Sequence, residues 1–197
     1  MKLLVATTNK NKVREIEAIL GTQNNFEIIT LNDIPSHPEI VEDAPSFEGN
    51  AIKKASILAQ HSNFLTLADD SGIEVTALDG RPGVLSARYG GSTLSDFERS
   101  LKLLEELETF TNREARFTCV IAIATPTGEV FTTTGHCYGE ISLEPRGENG
   151  FGYDPIFYIP QLKKTMAQLS QEEKNKLSHR YNALIKAIPI LEKLKNG

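Results

Sequence analysis

Residues 2–7 form a short apolar run that stops at the polar stretch 8–12, the pattern of a first buried strand. Val13, Ile16, Ile19 and Leu20 then recur at helical spacing, and Gly21 sits where a helix C-cap belongs. A second strand is predicted over 26–31. The segment 32–45, rich in proline and acid, predicts an irregular exposed loop. Phe47, Ala51, Ala55, Leu58 and Ala59 mark the next helix, and 65–68 predicts a strand running straight into Asp69-Asp70-Ser71-Gly72.

Glycine crowds the segment 77–93. Ser95 and Glu98 then match a capping box, with Phe97, Leu101, Leu104 and Leu107 as the expected buried face of the helix. Two long strands are predicted over 116–124 and 129–138, with Pro126-Thr127-Gly128 as their turn. A second glycine-rich loop, 147–152, precedes the apolar run 155–159. Ser170 and Glu173 repeat the capping-box spacing, and a last helix carries Leu184, Ile185, Ile188 and Leu191, with a kink expected at Pro189. Strands and helices mix without strict alternation, which implies an α/β fold with a mixed sheet.

Composition narrows the class. With 197 residues, 40% of them hydrophobic, the chain is expected to form one domain, 1–197, with a substantial core. No apolar run approaches the ~20 residues that a bilayer requires, so no membrane partner is expected. A net charge of −5 argues against a protein that coats nucleic acid. The N-terminal apolar run is too short for a signal-peptide core. A cytoplasmic location is expected, with Cys119 and Cys137 reduced and buried, as possible cross-strand neighbours.

Several segments could carry chemistry. Thr7, Thr8, Asn9, Lys10, Asn11 and Lys12 join a strand end to a helix start, where free N–H groups, the helix dipole and lysines suit a phosphate chain. An ordinary capped helix with exposed lysines has the same pattern. Asp69-Asp70 and Glu42-Asp43 could supply carboxylates for Mg²⁺, which binds through one or two acids plus substrate oxygens; Asp-Asp at a strand end also serves as a turn and cap device. In a regular strand the two aspartates would point to opposite faces. Phe151, Gly152, Tyr153 and Asp154 place aromatic faces on a loop beside an acid, able to stack on a base or to plug the core edge. Ser178-His179-Arg180 puts two strong donors at the start of the last helix, whereas His37, His61 and His136 read as surface or structural groups. No G-x-S-x-G elbow or zinc-spaced His/Cys cluster occurs.

Taken in order, Ala6 through Lys12, Phe47-Glu48-Gly49-Asn50-Ala51, Ala68 through Gly72, Arg81-Pro82-Gly83 with Ser86-Ala87-Arg88-Tyr89, Phe151 through Phe157, and Ser178-His179-Arg180 are together similar to the inosine triphosphate pyrophosphatase family. The resemblance spans the chain. It implies an elongated mixed sheet flanked by helices, two lobes with the active-site cleft between them, and a homodimer. It also implies Mg²⁺-dependent hydrolysis of ITP, dITP and XTP to monophosphate and pyrophosphate. By the same resemblance, residues 7–12 and Lys54 hold the triphosphate, Asp70 is the proton acceptor and a metal ligand, and Glu42 (or its neighbour Asp43) is the other metal carboxylate. Ser71 touches substrate, and Phe151, Gly152, Tyr153, Asp154, Lys174, His179 and Arg180 surround the purine. Arg180 and His179 are expected to donate to the 6-oxo group. Gly49 and Tyr153 depart from the residues more usual in the family. A modified-pyrimidine nucleotide pyrophosphatase of the same fold and a non-catalytic nucleotide-binding regulator are the alternatives.

Overall fold

The computed structural model describes residues 1–21, 26–34 and 36–196. Pro35, in the predicted proline- and acid-rich loop, lies outside the described residues. Within them the strands β1 (Lys2–Val5), β2 (Glu27–Thr30), β3 (Leu65–Val75), β4 (Glu114–Ala124), β5 (Val130–Ile141), β6 (Phe157–Ile159) and β7 (Lys164–Thr165) form one sheet in the order β2-β1-β3-β4-β5-β6-β7. The pairs β1–β2 and β1–β3 are parallel, while β5–β6 and β6–β7 are antiparallel, so the sheet is mixed. The helices are α1 (Lys10–Leu20), α2 (Phe47–Ser62), α3 (Asp96–Glu106), α4 (Gln171–Lys174) and α5 (His179–Asn196).

The chain divides into two compact units, each assembled from separate segments. The first comprises Met1–Asp70, Cys119–Gly135 and His179–Gly197. Its β1 is buried throughout Leu3, Leu4 and Val5, as expected of a parallel strand covered on both faces. The core joins Leu3 and Val5 with Ile16, Ile19 and Leu20 of α1, Leu65 and Leu67 of β3, Ile121 and Ile123 of β4, and Leu184, Ile188 and Leu191 of α5. Each such side chain, fully buried, contributes roughly 1.5–3 kcal/mol. Pro189 lies inside α5.

The second unit comprises Ser71–Thr118 and His136–Ser178, with a core built from Ile73, Val75, Leu103, Leu107, Phe117, Ile156, Phe157 and Met166. Both capping boxes form: Ser95 caps α3 and Ser170 caps α4. The buried face of α3 differs from the expected one: Leu107 is buried and Leu104 packs against the core as expected, Leu103, Ser100 and Arg99 are buried as well, and Phe97 and Leu101 are exposed. The Arg99 guanidinium points inward and donates to the carbonyls of Tyr89, Gly91 and Leu94, so the buried face includes it. Cys119 and Cys137 are both free and buried, and they belong to different core clusters.

Candidate active site

Asp69 and Asp70 sit inside β3, not in a turn after it. β3 runs eleven residues, Leu65–Val75, with five of them after Asp70. Alternation sends the two carboxylates to different partners. Asp69 accepts from Lys12 Nζ at 2.5 Å, from Arg180 Nε at 2.8 Å and from Cys119 Sγ at 3.0 Å. Asp70 accepts from Lys54 Nζ at 3.1 Å and from the Asn50 amide at 3.3 Å.

The Asp70 side is open chemistry. Lys54, on α2, donates to Glu42 Oε1 at 2.6 Å, to the Asp69 carbonyl at 2.8 Å and to Asp70. Two carboxylates therefore converge on one ammonium position. Glu42, not Asp43, is the acid that shares it; Asp43 is turned outward to Lys53 at 2.6 Å. Burial raises the Asp70 carboxyl above its ordinary value, an effect that Lys54 and Lys12 offset only in part and to which Glu42 adds. Burial disfavours the Lys54 charge too, but Asp70 and Glu42 outweigh it and hold the ammonium above its usual range. A cavity of about 230 Å³ adjoins, lined by Thr7, Thr8, His37, Glu39, Glu42 and Lys54 among others.

Ahead of α1, Asn9 is the N-cap, and its side chain accepts from the amides of Asn11 at 2.9 Å and Lys12 at 3.3 Å. Thr7 Oγ1 accepts from the Asn9 amide at 3.2 Å. The expected row of open N–H groups is corrected accordingly: Asn9 takes two of the leading amides. Lys10 and Thr8 are exposed, and Lys12 is half-buried. Ser71 follows Asp70 in β3 and is half-buried.

Arg180 departs from expectation most. It is buried to 1% exposure, and all three guanidinium nitrogens are turned to carboxylates: Nε and Nη2 to Asp69, Nη1 to Glu15. Its donors are spent on a buried ion network, so a role in reading a 6-oxo group is not what this geometry presents. That network holds Asp69 well below the usual carboxylate range, since Arg180 and Lys12 more than reverse the effect of burial. His179, the first residue of α5, is buried as well.

The second unit contains the aromatic loop. Phe151 is half-buried with Lys174 Nζ 4.5 Å from its ring centroid, and Lys174 pairs with Asp154 at 2.5 Å. Asp154 Oδ2 also accepts from the Phe151 amide at 2.8 Å, which fixes the loop. Gly152, at φ +61°, takes a turn conformation that L side chains rarely adopt. Tyr153 does not offer a stacking face: it is core, with its hydroxyl donating to the Ser86 carbonyl at 2.9 Å. A larger cavity in this unit, about 630 Å³, is lined by Glu74, Arg116, Tyr138 and Glu140 among others and includes none of the expected site residues.

Asn50 and Glu15 are the positions to which the sequence reading gave no role, and Asp69, read there beside Asp70 as a candidate Mg²⁺ carboxylate, is instead enclosed by Lys12, Arg180 and Cys119. Asn50 had a signal: a polar residue within the apolar stripe of α2, buried to 1%. Gly49, one of the two departures from the family pattern, has a steric reason, because a Cβ there would come within 2.8 Å of the Ala44 Cβ.

An open mixed sheet whose third strand carries paired aspartates, with lysines reaching them from two helices, defines an α/β protein suited to polyphosphate chemistry. Residues 3–190 match the Ham1 family, and the chain belongs to it. It is 48% identical over 196 residues to the dITP/XTP pyrophosphatase of Desulforamulus reducens, covering 98% of this chain and 97% of that one. It is 51% identical over 183 residues to the dITP/XTP pyrophosphatase of Halalkalibacterium halodurans, covering 92% and 94%. Among solved structures, a HAM1 protein from Coxiella burnetii superposes with a TM-score of 0.90 at 40% identity, over 98% of this chain and 99% of that one.

Proposed function

We propose that this chain is a single-domain nucleoside-triphosphate pyrophosphatase that hydrolyses ITP, dITP and XTP to the monophosphate and pyrophosphate. The observation that carries the reading is the convergence of Asp70 and Glu42 on Lys54 beside a cavity lined by Thr7 and Thr8. Family membership and curated relatives named dITP/XTP pyrophosphatase support it.

Mg²⁺ fits the acids present. Two carboxylates already share one cationic position, and among the described residues no cluster of three or more His, Cys, Asp or Glu forms a closed metal cage. Glu42 and Asp70 would therefore hold the ion by two acids, leaving room for water and phosphate oxygens, the usual Mg²⁺ arrangement. When bound, the ion supplies charge neutralisation at the phosphates. In the proposed reaction Asp70 accepts the proton of the attacking water, a task helped by its raised pKa. Lys12, Lys10 and Lys54 neutralise charge on the departing pyrophosphate. Thr7, Thr8, Asn9 and Asn11 position the triphosphate, and Ser71 contacts it. Phe151 is the stacking face for the base, supported by Gly152, Asp154 and Lys174. His179 adjoins the base, and Arg180 acts by anchoring Asp69.

A cytoplasmic homodimer completes the reading; free Cys119 and Cys137 suit a reducing compartment, and light scattering tests the dimer. Among the described residues no helix is long and apolar enough to cross a membrane. The deciding experiment is product analysis from ITP with and without Mg²⁺. IMP and pyrophosphate in one Mg²⁺-dependent step are expected; IDP and orthophosphate would overturn the proposal.

A further inference from the structure

We infer that Cys119 is a positioning residue: its thiol is one of the donors that hold the Asp69 carboxylate and thereby helps set where Lys12 stands. The inference rests on the reading of Lys12 as a phosphate contact. The Asp69 side chain has no exposure, so its lone pairs must be met by protein groups. A carboxylate offers about four acceptor positions. Lys12 Nζ and Arg180 Nη2 meet Oδ1, while Arg180 Nε and Cys119 Sγ meet Oδ2.

Charge explains why this donor is a thiol. In these ion pairs the two cations, Lys12 and Arg180, already face two carboxylates, Asp69 and Glu15. A further cation would leave an excess charge in the core, which is costly. A neutral S–H adds a hydrogen and no charge. It comes from β4, whose next core residues, Ile121 and Ile123, are buried and hold the strand in place. Without it, Oδ2 loses a donor and the carboxylate draws harder on Lys12 and Arg180. Lys12, whose side chain keeps 16% exposure and gives one of its three hydrogens to Asp69, is the member that can move.

The test compares Cys119→Ala, which removes the donor, with Cys119→Ser, which keeps one. Steady-state kinetics with ITP should show KM raised by about three- to tenfold in Cys119→Ala, with a smaller change in kcat, as for loss of one hydrogen bond to a charged group. Cys119→Ser should return KM to within about twofold of the parent. A KM unchanged in Cys119→Ala, or Cys119→Ser no better than Cys119→Ala, would overturn the inference, since a packing role alone gives no such rescue. A second readout needs no turnover. In a Cys137→Ala background the remaining S–H infrared stretch should lie at hydrogen-bonded frequency and rise in Asp69→Asn; a band that does not move contradicts the contact. If the parent chain fails to hydrolyse ITP, the functional reading falls, while the infrared result still decides the Cys119–Asp69 contact.

Discussion

Asp69 and Asp70 are neighbours on one strand, yet they occupy opposite chemical situations. Asp69 is enclosed by Lys12, Arg180 and Cys119, and its charge is held firmly in place. Asp70 meets Lys54 and Asn50 at longer distances, shares its cation with Glu42, and is ionised against the resistance of its burial. A saturated carboxylate has no lone pair left for water or metal and contributes stability. An undersupplied one is a poor structural element and a good base. The strand period assigns these two roles to consecutive residues.

The largest effect should come from breaking the enclosed side. Asp69→Asn leaves Arg180 and Lys12 short of a buried countercharge, and a loss of about 3–5 kcal/mol in unfolding free energy is expected from denaturant titration. Its pH signature follows from the direction of the shift. The folded value lies below the ordinary 3.8, so the contribution is complete above that value and disappears as pH falls through the folded one. The parent should thus lose stability in acid more steeply than Asp69→Asn; parallel curves would place the shift elsewhere.

Next in size is the division between Glu42 and Asp43. Glu42→Gln should lower ITP turnover at limiting Mg²⁺ by at least about tenfold, with partial recovery at high Mg²⁺. Asp43→Asn breaks only an exposed pair with Lys53 and should stay within about twofold of the parent. Equal losses in the two variants would erase the distinction. The smallest contrast lies in the aromatic loop. Phe151→Ala should raise KM for ITP by about tenfold, the scale of a lost stacking contact. Tyr153→Phe should cost about 1 kcal/mol of stability through its bond to Ser86 and leave KM alone. A KM effect at Tyr153 instead of Phe151 would reverse their roles.

Much of this was legible in advance, for identifiable reasons. Periodicity located β1, α1, α2 and both capping boxes because each is decided locally by apolar spacing and one side-chain cap. It was only partly right on α3, where apolar spacing could not show that the Arg99 guanidinium is buried against the carbonyls of the glycine-rich loop just before the helix. The site residues Asp70, Glu42 and Lys54 were named from motif order, and the structure brings them together. The Arg180 assignment did not carry over, because nothing in the spacing of Ser178-His179-Arg180 reveals that Glu15, 165 positions away, faces the guanidinium. Short motifs report which residue types are present; charge pairing across elements decides which of them remain available.

The central claim, that Asp70 is ionised for chemistry at a cost to stability, is tested most directly by measuring kcat for ITP and the melting temperature of Asp70→Asn together. The folded Asp70 value is raised, so its ionisation opposes folding above that pH, and removing the charge should not destabilise the chain at neutrality. The account predicts a kcat loss on the order of 10²-fold or more with a melting temperature equal to or above the parent's. Near-normal turnover, or a melting temperature well below the parent's, would contradict it.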